Sequence, residues 1–402
     1  MQVYVVGGAV RDALLGLPVH DRDYVVVGAT PSEMVAQGFL PVGRDFPVFL
    51  HPVSHEEYAL ARTERKSGPG YHGFVCYTSP QVTLEEDLSR RDFTVNAMAQ
   101  DAQGNIIDPW GGRADVAARV LRHVGPAFVE DPVRILRAAR FMARLPDFEL
   151  AAETLALMRQ MVEDGEVDHL VPERVWQELS RGLMTQHPSR MLRVLRACGA
   201  LARLMPEIDA LFGVAQDARY HPEIDTGEHT LLVLDASAQA GSPLSVRFSA
   251  LMHDVGKGLT PPENLPDHPR HELAGVEPAR KLCQRLRVPV ECRDLALLTV
   301  RYHGEIHRAD RLSYDELVGL LERVDAFRRP QRFELLLQAC QADARGRTGY
   351  ADSAYPQAER LRMVLAVTRG VDAAALAAQY PPAQMASRLH STRVGLLADA
   401  GV

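Results

Sequence analysis

The stretch VYVVGGAVRDALLGLPVHDRDYVVVG, residues 3 to 28, constrains the fold more than any other part of the chain. Its two apolar runs, VYVV and YVVV, have the length and β-branched content of strands, and Gly7 and Gly8 end the first run. The segment AVRDALLG between the runs is predicted to be a helix. Because alternate side chains of a strand lie on one face, Asp21 and Asp23 are expected to point the same way. The chain therefore begins as strand, helix and strand with two neighbouring carboxylates.

The paired carboxylates indicate a metal site that handles phosphates. Two carboxylates held side by side repel each other unless a cation lies between them, and divalent cations commonly do. Small residues at Gly7 and Gly8 let backbone N–H groups approach a phosphate at the helix N-terminus, where Arg11 would add a positive charge. Taken singly, the glycines fit a tight turn and the aspartates fit turn residues after Pro18. Together they match neither GxGxxG nor a Walker A loop, and they favour two-metal phosphoryl transfer.

Composition indicates a globular chain of more than one domain. Its 402 residues predict two to three domains at about 150 residues each, and 46% apolar with 24% charged residues is ordinary for soluble proteins. Apolar runs fall short of the ~20 residues needed to cross a membrane, and no signal peptide is expected. Five scattered cysteines without a CxxC pair indicate reduced thiols in a cytoplasm. The net charge of -7 still allows a local basic surface that binds nucleic acid.

Hydrophobic periodicity predicts an α+β fold class, with an α/β head followed by mainly helical domains. Strand patterns recur in DYVVVG, FPVFL, EYALAR and NIIDPW, and Thr83 with Glu86 predicts a capping box at a helix start. Later segments such as RILRAARFMARL show helical periodicity. The predicted domains are a head at 1–112, a helical neck and body at 113–225, a histidine-rich helical domain at 226–345, and a helical tail at 346–402.

One helix of the second block carries an unusual row of arginines. Spacings of three, three and four residues place four guanidinium groups on one helix face: Arg134, Arg137, Arg140 and Arg144. The apolar residues fall on the other sides: Ile135, Leu136, Ala139 and Met142. Asp131 is the predicted N-cap and Pro132 the first helical residue. An ordinary amphipathic helix would explain the apolar stripe, but four arginines without interleaved acids need an anionic partner such as a triphosphate or RNA.

Asp131 and Arg134 also indicate how a base could be selected without a nucleic-acid template. A carboxylate accepts and a guanidinium donates, so the two match a base edge with an amino donor beside a ring-nitrogen acceptor. Cytosine and adenine carry that edge. Uracil and guanine present a carbonyl acceptor beside an N–H donor and would be rejected.

A second chemistry is indicated by FSALMHDVGKG, where His253 and Asp254 stand together late in an apolar helix predicted to end at Gly256. Neighbouring helical side chains diverge by roughly 100°, so one ion would need ligands from other helices as well. The candidates are His229, His271, His303 and Asp343. Mixed imidazole and carboxylate ligands suit a transition ion more than Mg²⁺ or Ca²⁺. Any single histidine among the 15 would more simply be structural.

The bacterial CCA-adding enzymes, class II tRNA nucleotidyltransferases of the polymerase β superfamily, resemble this chain in VVGGAVRD, DRDYVVVG, ARTERKSGPGYHGF, RRDFTVNA and EDPVRILRAARF. VGRDFPVFLHP and PEIDALFGV carry the resemblance through nearly the whole chain. It implies a polymerase β-type head, with tRNA, CTP and ATP as partners and Mg²⁺ on Asp21 and Asp23. It further implies nucleotide contacts from Gly8, Arg11, Arg91, Arg137 and Arg140. The EDxxR element of the family is matched by Glu130, Asp131 and Arg134, and Asp92 would lie near the ribose.

The HDxGK string, with a histidine upstream and an aspartate downstream, resembles the HD phosphohydrolase superfamily. CCA-adding enzymes that carry such a domain are associated with nickel and with 2′,3′-cyclic phosphodiesterase, 2′-nucleotidase and phosphatase activities. The resemblance implies metal binding by His229, His253, Asp254 and Asp343. Two departures affect His271 and His303: Gly304 stands where relatives can carry Asp, and HELAG replaces a more glycine-rich HGxAG stretch.

The sequence thus predicts an enzyme that builds or repairs the CCA end of tRNA from CTP and ATP, and that also hydrolyses phosphoesters. Two alternatives stay open. Poly(A) polymerases share the head motifs, although the basic C-terminal extension typical of them is missing. The chain could instead be primarily a metal-dependent phosphohydrolase with a nucleotide-binding head. A monomer or a homodimer is expected, without membrane attachment.

Overall fold

The computed structural model describes residues 1–19, 21–42, 48–66 and 74–401. Parts of two predicted motifs, residues 43–47 of VGRDFPVFLHP and residues 67–73 of ARTERKSGPGYHGF, lie outside the described residues. The described residues form a sheet near the N-terminus and helices through the rest of the chain. The α+β fold class is confirmed.

Eleven strands occur in the described part of the chain. They are β1 (Gln2–Val6), β2 (Asp23–Val27), β3 (Leu40–Val42), β4 (Val48–Leu50), β5 (Glu57–Leu60), β6 (Arg62–Lys66), β7 (Phe74–Thr78), β8 (Ala99–Gln100), β9 (Ile106–Ile107), β10 (Val120–Leu121) and β11 (Glu149–Leu150). One sheet has the order β3-β4-β5-β2-β1-β8-β9, and the pairs β6-β7 and β10-β11 are separate.

The α-helices of the described residues follow the predicted helical blocks. They are α1 (Gly8–Leu14), α2 (Pro31–Ala36), α3 (Leu84–Ser89), α4 (Gly112–Ala118), α5 (Val133–Arg144), α6 (Ala152–Glu163), α7 (Pro172–Leu183), α8 (Ser189–Ala197), α9 (Ala200–Leu204), α10 (Pro206–Asp209), α11 (Thr226–Gln239), α12 (Leu244–Met252), α13 (His271–Ala274), α14 (Val276–Arg285), α15 (Val290–His307), α16 (Tyr314–Arg323), α17 (Pro330–Arg345), α18 (Pro356–Thr368), α19 (Ala373–Gln379) and α20 (Pro382–Ala400).

The chain divides into two compact units. The first comprises Met1–Glu178 and Arg193–Leu204, and the second comprises Leu179–Leu192 and Met205–Val402. The finer boundaries predicted at residues 112, 225 and 345 stay predictions. No helix among the described residues combines the length and the apolar character needed to cross a membrane.

Strand register in the first unit brings the opening motifs together. β1 and β2 are antiparallel with Val6 opposite Asp23, and β2 and β5 are parallel with Asp23 opposite Glu57. β2 begins only at Asp23, so Asp21 precedes the strand instead of lying on it as predicted. The reason is that β1 turns away after Val6, which leaves no strand partner beyond Asp23. The glycine pair and the aspartates nevertheless meet at one edge of the sheet.

The predicted capping box of α3 is present, and the N-cap of α5 lies at Pro132, one residue after the predicted Asp131. Thr83 and Glu86 form the capping box that starts α3. The carboxylate of Asp131 accepts a hydrogen bond from the backbone N–H of Val133 at 3.1 Å, although α5 begins one residue after Pro132. The residues predicted for the apolar sides of α5 are all buried: Ile135, Leu136, Ala139 and Met142. The sequence pattern of this helix is therefore confirmed.

In the second unit, α11, α12, α15 and α17 pack against one another. α12 ends at Met252, earlier than the predicted end at Gly256, and the chain continues as a 3-10 helix over Val255–Leu259. Gly256 lies against the backbone of His271 so closely that a Cβ would collide with it. The glycine is thus required by this close backbone approach and does not cap the helix. As a result, His253 and Asp254 stand at the end of α12, where their side chains can converge.

Candidate nucleotide site and candidate metal centre

The candidate nucleotide site lies where β1 ends and β2 begins. Gly7 has a φ of 71°, which favours glycine, and it turns the chain from β1 into α1. A Cβ on Gly7 would lie 3.0 Å from Nη1 of Arg91, so the missing side chain lets this guanidinium approach the turn. Asp23 occupies the adjacent strand end. The turn at Gly7 and Gly8, a cation and a carboxylate therefore share one edge of the sheet.

Exposed carboxylates lie at this edge of the sheet. Asp21 and Asp23 are exposed, and the exposed Glu57 is the strand neighbour of Asp23. In the part of the chain that the structure describes, no group of three or more possible metal ligands includes Asp21 or Asp23. An ion held by them would complete its shell from solvent or from a bound phosphate.

Arg11 has a different position from the one expected at a phosphate. It is 1% exposed and donates hydrogen bonds from Nε to Asp12 at 2.9 Å and from Nη1 to Asn96 at 2.6 Å. Burial lowers the pKa of Arg11, and the charge of Asp12 opposes that shift. Asp12 also accepts from Arg144 at 2.9 Å. Arg11 therefore links α1 to neighbouring residues in the interior of the first unit, and its predicted contact with a nucleotide stays a prediction.

Arg91, in contrast, is held at the glycine turn by a buried acid. Asp87 accepts hydrogen bonds from Arg90 at 2.8 Å and from Arg91 at 3.3 Å. Burial would raise the pKa of Asp87, but the two arginines keep it below its ordinary value. A carboxylate at the end of α3 therefore fixes the guanidinium that lies beside Gly7.

Asp92, the predicted ribose neighbour, is buried and paired with Arg137. Its Oδ2 accepts from Nε of Arg137 at 2.7 Å, and its Oδ1 accepts from Nδ2 of Asn96 at 3.2 Å. Burial would raise the pKa of Asp92, but Arg137 and these hydrogen bonds hold it below its ordinary value. Two residues implied for nucleotide binding thus form an ion pair with each other.

The arginines of α5 have acidic partners within the protein, while the predicted contact with a triphosphate or RNA stays a prediction. Arg140 donates from Nε to Glu178 at 2.5 Å. Arg144 donates from Nη2 to Asp12 at 2.9 Å. The acids come from segments far from α5 in the sequence, so helical spacing alone could not reveal them.

Asp131 and Arg134, the predicted base template, also have separate partners. Asp131 accepts two hydrogen bonds from Arg174 of α7, at 3.1 and 2.7 Å. Arg134 is buried and donates to the backbone carbonyl oxygens of Ala127 and Arg90, each at 2.6 Å. The guanidinium of Arg174 thus faces Asp131, and joint recognition of a base by Asp131 and Arg134 stays a prediction.

The candidate metal centre brings together the four ligands named from the sequence. His229, His253, Asp254 and Asp343 are all buried. Nε2 of His229 lies 3.1 Å from Oδ1 of Asp343, and Nε2 of His253 lies 3.1 Å from Oδ2 of Asp254. The residues reach this point from α11, the end of α12 and α17. Packing of those helices thus joins residues that are more than 100 positions apart, such as His229 and Asp343.

Three histidines of the centre form hydrogen bonds to backbone carbonyl oxygens through their Nδ1 atoms. Each Nδ1 lies 2.8 or 2.9 Å from a backbone carbonyl oxygen: that of Ala250 for His253, of Thr299 for His303, and of His268 for His271. A carbonyl oxygen only accepts, so these contacts assign the proton to Nδ1 in each ring. Nε2 then carries a lone pair, and this is the usual orientation of histidines that bind metals.

The donor atoms that converge here fit a cation. Among the described residues, the buried Nε2 of His253 has no hydrogen-bond partner. The Nε2 atoms of His271 and His303 lie 3.2 Å apart, and Oδ1 of Asp254 lies 3.4 and 3.6 Å from them. Lone pairs and carboxylate oxygens gathered in a buried place repel one another unless a positive charge is shared. The donor set of imidazoles and carboxylates suits a transition ion.

The two oxygens of Asp254 divide the centre into two sets of possible ligands. One set is His229, His253 and Asp343, with Oδ2 of Asp254 beside it. The other set is Oδ1 of Asp254 with His271 and His303. His271 and His303 are thus brought to the centre in spite of the sequence departures beside them. Gly304 leaves a space that the carboxylate of Glu272 fills.

Charges around the centre shift its protonation. Nδ1 of His229 lies 2.8 Å from Oε1 of Glu223. Burial would lower the pKa of His229, but Asp343 and Glu223 raise it above its ordinary value. Burial would raise the pKa of Asp343, but His307 and His253 hold it well below its ordinary value. Asp343 is therefore ionised, as a metal ligand must be.

A cavity of about 510 Å³ opens at this centre. Lys257, Arg308 and Arg347 line it together with Asp254, Asp343, His271 and His303. Nζ of Lys257 lies 2.7 Å from Oδ2 of Asp254. The cavity thus combines a buried set of metal ligands with cations that can bind a phosphate, which is the arrangement that phosphoester hydrolysis needs.

Sequence reasoning missed several partners of these sites. They are Asp12, Asp87, Arg174, Glu178, Glu223, His307 and Tyr355. One signal was available in PERVWQELS, where Arg174 and Glu178 are four residues apart and so share a helix face. The remaining partners are recognisable only after the chain has folded.

Family comparisons agree with this organisation. The family described as Poly A polymerase head domain matches residues 3–122. The family described as probable RNA and SrmB-binding site of polymerase A matches residues 147–212, and the HD domain family matches residues 226–339. Fold and sites thus define the class of the protein as a polymerase head followed by an HD domain.

Full-length relatives identify the family more closely. The Multifunctional CCA protein of Paraburkholderia phytofirmans is 62% identical over 98% of this chain and 98% of its own length. That of Burkholderia pseudomallei is 60% identical over 100% of this chain and 99% of its own length. The chain belongs to the family of multifunctional CCA proteins.

Solved structures share the fold at lower identity. The Bacillus stearothermophilus CCA-adding enzyme in complex with CTP is 24% identical, with a TM-score of 0.63 over 99% of this chain and 89% of that chain. The Thermotoga maritima CCA-adding enzyme complexed with tRNA is 21% identical, with a TM-score of 0.63 over 98% of this chain and 86% of that chain.

Proposed function

We propose that this chain adds or repairs the 3′-terminal CCA of tRNA from CTP and ATP without a nucleic-acid template, and that its HD domain hydrolyses phosphoesters. The observation that carries the first activity is the sheet edge where Gly7, Arg91 and Asp23 meet. Full-length relatives at about 60% identity bear the name of CCA proteins, which favours CCA addition over poly(A) synthesis.

Nucleotide addition is assigned to the first unit. The 3′-hydroxyl of the tRNA attacks the α-phosphate of CTP or ATP, and pyrophosphate leaves. Mg²⁺ held by Asp21 and Asp23 would stabilise the attacking oxygen and the charge that develops on the phosphate. Arg91, fixed by Asp87 beside the glycine turn, is placed to neutralise the triphosphate, and backbone N–H groups at Gly8 can approach a phosphate oxygen.

The residues of α5 are proposed to receive the base and ribose. In the structure Arg137 is paired with Asp92 and Arg140 with Glu178. The phosphates of a nucleotide would compete with these carboxylates for the two guanidinium groups. Asp131 accepts from Arg174 and would accept instead from the exocyclic amino group of cytosine or adenine. Arg134, anchored to two carbonyl oxygens, would keep α5 in position or complete the base contact after a rearrangement.

The HD site is proposed to bind Ni²⁺ or another divalent transition ion through His229, His253, Asp254 and Asp343. Such an ion supplies Lewis-acid activation of water and of the phosphoester. Lys257, Arg308 and Arg347 would hold the phosphate in the cavity. His271 and His303, with the second oxygen of Asp254, offer a further position for a cation. The proposed substrates are 2′,3′-cyclic phosphates, 2′-nucleotides and simple phosphomonoesters.

The first experiment is nucleotide addition to a tRNA that lacks its CCA end. The protein is incubated with Mg²⁺ and CTP, ATP, UTP or GTP singly, then with CTP and ATP together, and the 3′ ends are sequenced. We expect C, C and A to be added and then no more, with UTP and GTP rejected. A long A tail would support the poly(A) alternative, and no addition at all would leave the phosphohydrolase as the main activity.

Cellular location and assembly stay predictions. The scattered cysteines are the basis for a cytoplasmic location, and four of them are buried free thiols in the structure: Cys198, Cys283, Cys292 and Cys340. A monomer or a homodimer is expected, and sedimentation of the purified chain would distinguish the two.

A further inference from the structure

Asp343 has its two carboxylate oxygens in different surroundings. Oδ1 faces the metal centre, 3.1 Å from Nε2 of His229 and 3.9 Å from Nε2 of His253. Oδ2 lies 2.6 Å from Nε2 of His307. The short distance and the acceptor character of a carboxylate mean that the His307 ring donates its Nε2 proton to Oδ2.

The other nitrogen of the His307 ring is also engaged. Nδ1 of His307 lies 2.8 Å from the hydroxyl oxygen of Tyr355. Tyr355 immediately precedes α18 and is 8% exposed within the hydrophobic core of the second unit. Burial raises the pKa of Tyr355, so its hydroxyl keeps its proton and can donate it to Nδ1. A continuous chain of hydrogen bonds thus runs from Tyr355 through His307 to Asp343.

His307 differs from the histidines that could bind an ion. His271 and His303 donate from Nδ1 to backbone carbonyl oxygens and keep Nε2 open toward Asp254. His307 has one ring nitrogen on Asp343 and the other on Tyr355, so neither nitrogen is left to bind a cation. It follows His303 by one helical turn on α15. Helix α15 therefore carries His303, a possible metal ligand, and one turn later His307, which contacts the possible ligand Asp343.

We propose that Tyr355 and His307 are positioning residues that orient Asp343 as a single-oxygen metal ligand. The inference rests on the proposed metal site of the HD domain. Because Tyr355 donates to Nδ1, the neutral His307 ring must carry its proton on Nε2, where Oδ2 accepts it. Without the tyrosine hydroxyl, the ring could instead hold its proton on Nδ1 and turn a lone pair toward Asp343. Oδ2 would then lose its donor, and the carboxylate could rotate.

The test is the affinity of the full-length, metal-free chain for Ni²⁺, measured by titration calorimetry. Outer-shell partners of metal ligands typically contribute 10- to 100-fold in affinity. We expect roughly tenfold weaker binding for Tyr355→Phe, which removes one oxygen atom, and a larger loss for His307→Leu. His307→Gln retains an N–H donor and should restore part of the affinity. Tyr302→Phe is the matched control, since Tyr302 packs against the same core and should leave binding unchanged.

A second readout separates positioning from a general loss of structure. Co²⁺ bound at the site should show altered visible absorption in Tyr355→Phe, because Oδ2 of Asp343 becomes available as a second oxygen ligand. Should His307→Leu fail to fold, Tyr355→Phe decides the question alone. The inference would be overturned if Tyr355→Phe had the same Ni²⁺ affinity and the same Co²⁺ absorption spectrum as the unmodified chain.

Asp343→Asn distinguishes this inference from the proposed site itself. Suppose that Asp343→Asn no longer binds Ni²⁺ while Tyr355→Phe binds it with unchanged affinity. The proposed metal site would then be supported, and the proposed positioning role of Tyr355 and His307 would be wrong. If the unmodified chain does not bind Ni²⁺ at all, both proposals are wrong.

Discussion

The two candidate sites of this chain are built in opposite ways. At the sheet edge of the first unit, the carboxylates of Asp21 and Asp23 are exposed, while the arginines nearby are paired with acids of the protein. In the second unit the acids and histidines are buried, and the Nε2 atom of His253 lacks a hydrogen-bond partner among the described residues. The first site has its arginines paired with acids, and the second has carboxylates and imidazole nitrogens gathered in the interior, with Lys257 at Asp254.

This difference indicates when each site is completed. The metal centre of the second unit is arranged by the fold, because a buried group cannot adjust freely and its ligands are fixed by backbone hydrogen bonds. The proposed nucleotide site would need its substrate, because a triphosphate would have to draw the arginines from their present partners and supply oxygen atoms to an ion. We therefore expect metal binding to precede substrate in the HD site and to depend on nucleotide in the head.

The largest effect is expected from Asp23→Ala. Loss of a carboxylate that binds the catalytic ion should lower CCA addition by roughly a thousandfold, which is about 4 kcal/mol of transition-state stabilisation. Phosphoester hydrolysis should be unchanged. Addition is followed by gel analysis of tRNA 3′ ends, with Glu85→Ala as an exposed acidic control from the same unit. Retained turnover in both Asp21→Ala and Asp23→Ala would contradict the two-metal assignment.

His253→Ala should produce the converse loss. The variant removes a ligand whose Nε2 faces the centre, so hydrolysis of a 2′,3′-cyclic phosphate should fall at least a hundredfold, about 2.7 kcal/mol. CCA addition should stay within twofold. His187→Ala is the matched control, since His187 belongs to none of the candidate ligand groups in the described part of the chain. Loss of both activities together would mean that the two sites are not independent.

Ion binding without nucleotide should stabilise only the second unit. Ni²⁺ at a hundred times its dissociation constant adds about 2.7 kcal/mol to the free energy of unfolding, roughly 5 to 10 °C in melting temperature for a unit of this size. The same concentration of Mg²⁺ should shift melting much less, because its two exposed carboxylates hold it weakly. Differential scanning calorimetry of the intact chain measures both shifts, and His253→Ala should remove the Ni²⁺ shift. A Mg²⁺ shift of equal size would show that the head site is also formed in advance.

Asp131→Asn should weaken base selection. An amide both donates and accepts, so the preference for CTP over UTP should fall by roughly tenfold, the low end of what one bidentate contact contributes. The readout is the ratio of kcat/KM for CTP and UTP on a tRNA that lacks CCA. Asp147→Asn makes the same chemical change at an exposed position just beyond α5. If Arg174→Lys changes the ratio and Asp131→Asn does not, the base would be selected by α7 instead.

The sequence predicted local features and chemical groupings better than it predicted partners. The capping box at Thr83 and the buried side of α5 depend on neighbouring residues, and the structure has both. His253 and Asp254 could be linked to His229 because the HDxGK string with an upstream histidine resembles the HD superfamily. Their convergence comes from the packing of α11, α12 and α17, and the early end of α12 and the close approach of Gly256 to His271 were not visible in any local pattern.

Partners of the arginines could not be read from spacing. Arg144 and its acid Asp12 are 132 positions apart, and Arg137 and Asp92 are 45 apart. The spacing of a row of arginines is the same whether their partners are the phosphates of a nucleotide or acids elsewhere in the protein. The arginines of α5 do have anionic partners, which are acids of the protein, and their contacts with a nucleotide stay a prediction.

The smallest expected effect concerns the acid stability of the head and tests whether its ion pairs support the fold. The pKa of Asp92 lies below its ordinary value in the folded chain because of Arg137 and Asn96, in spite of burial. Its stabilising contribution is therefore present above the pKa of the unfolded chain and is lost as pH falls through the folded value. Asp92→Asn should reduce the slope of unfolding free energy against pH below about pH 4 by up to one proton. Urea unfolding at a series of acid pH values measures this slope, with Asp147→Asn as the exposed control. An unchanged slope would mean that Asp92 and Arg137 are not coupled in solution, and that Arg137 is already free for a nucleotide.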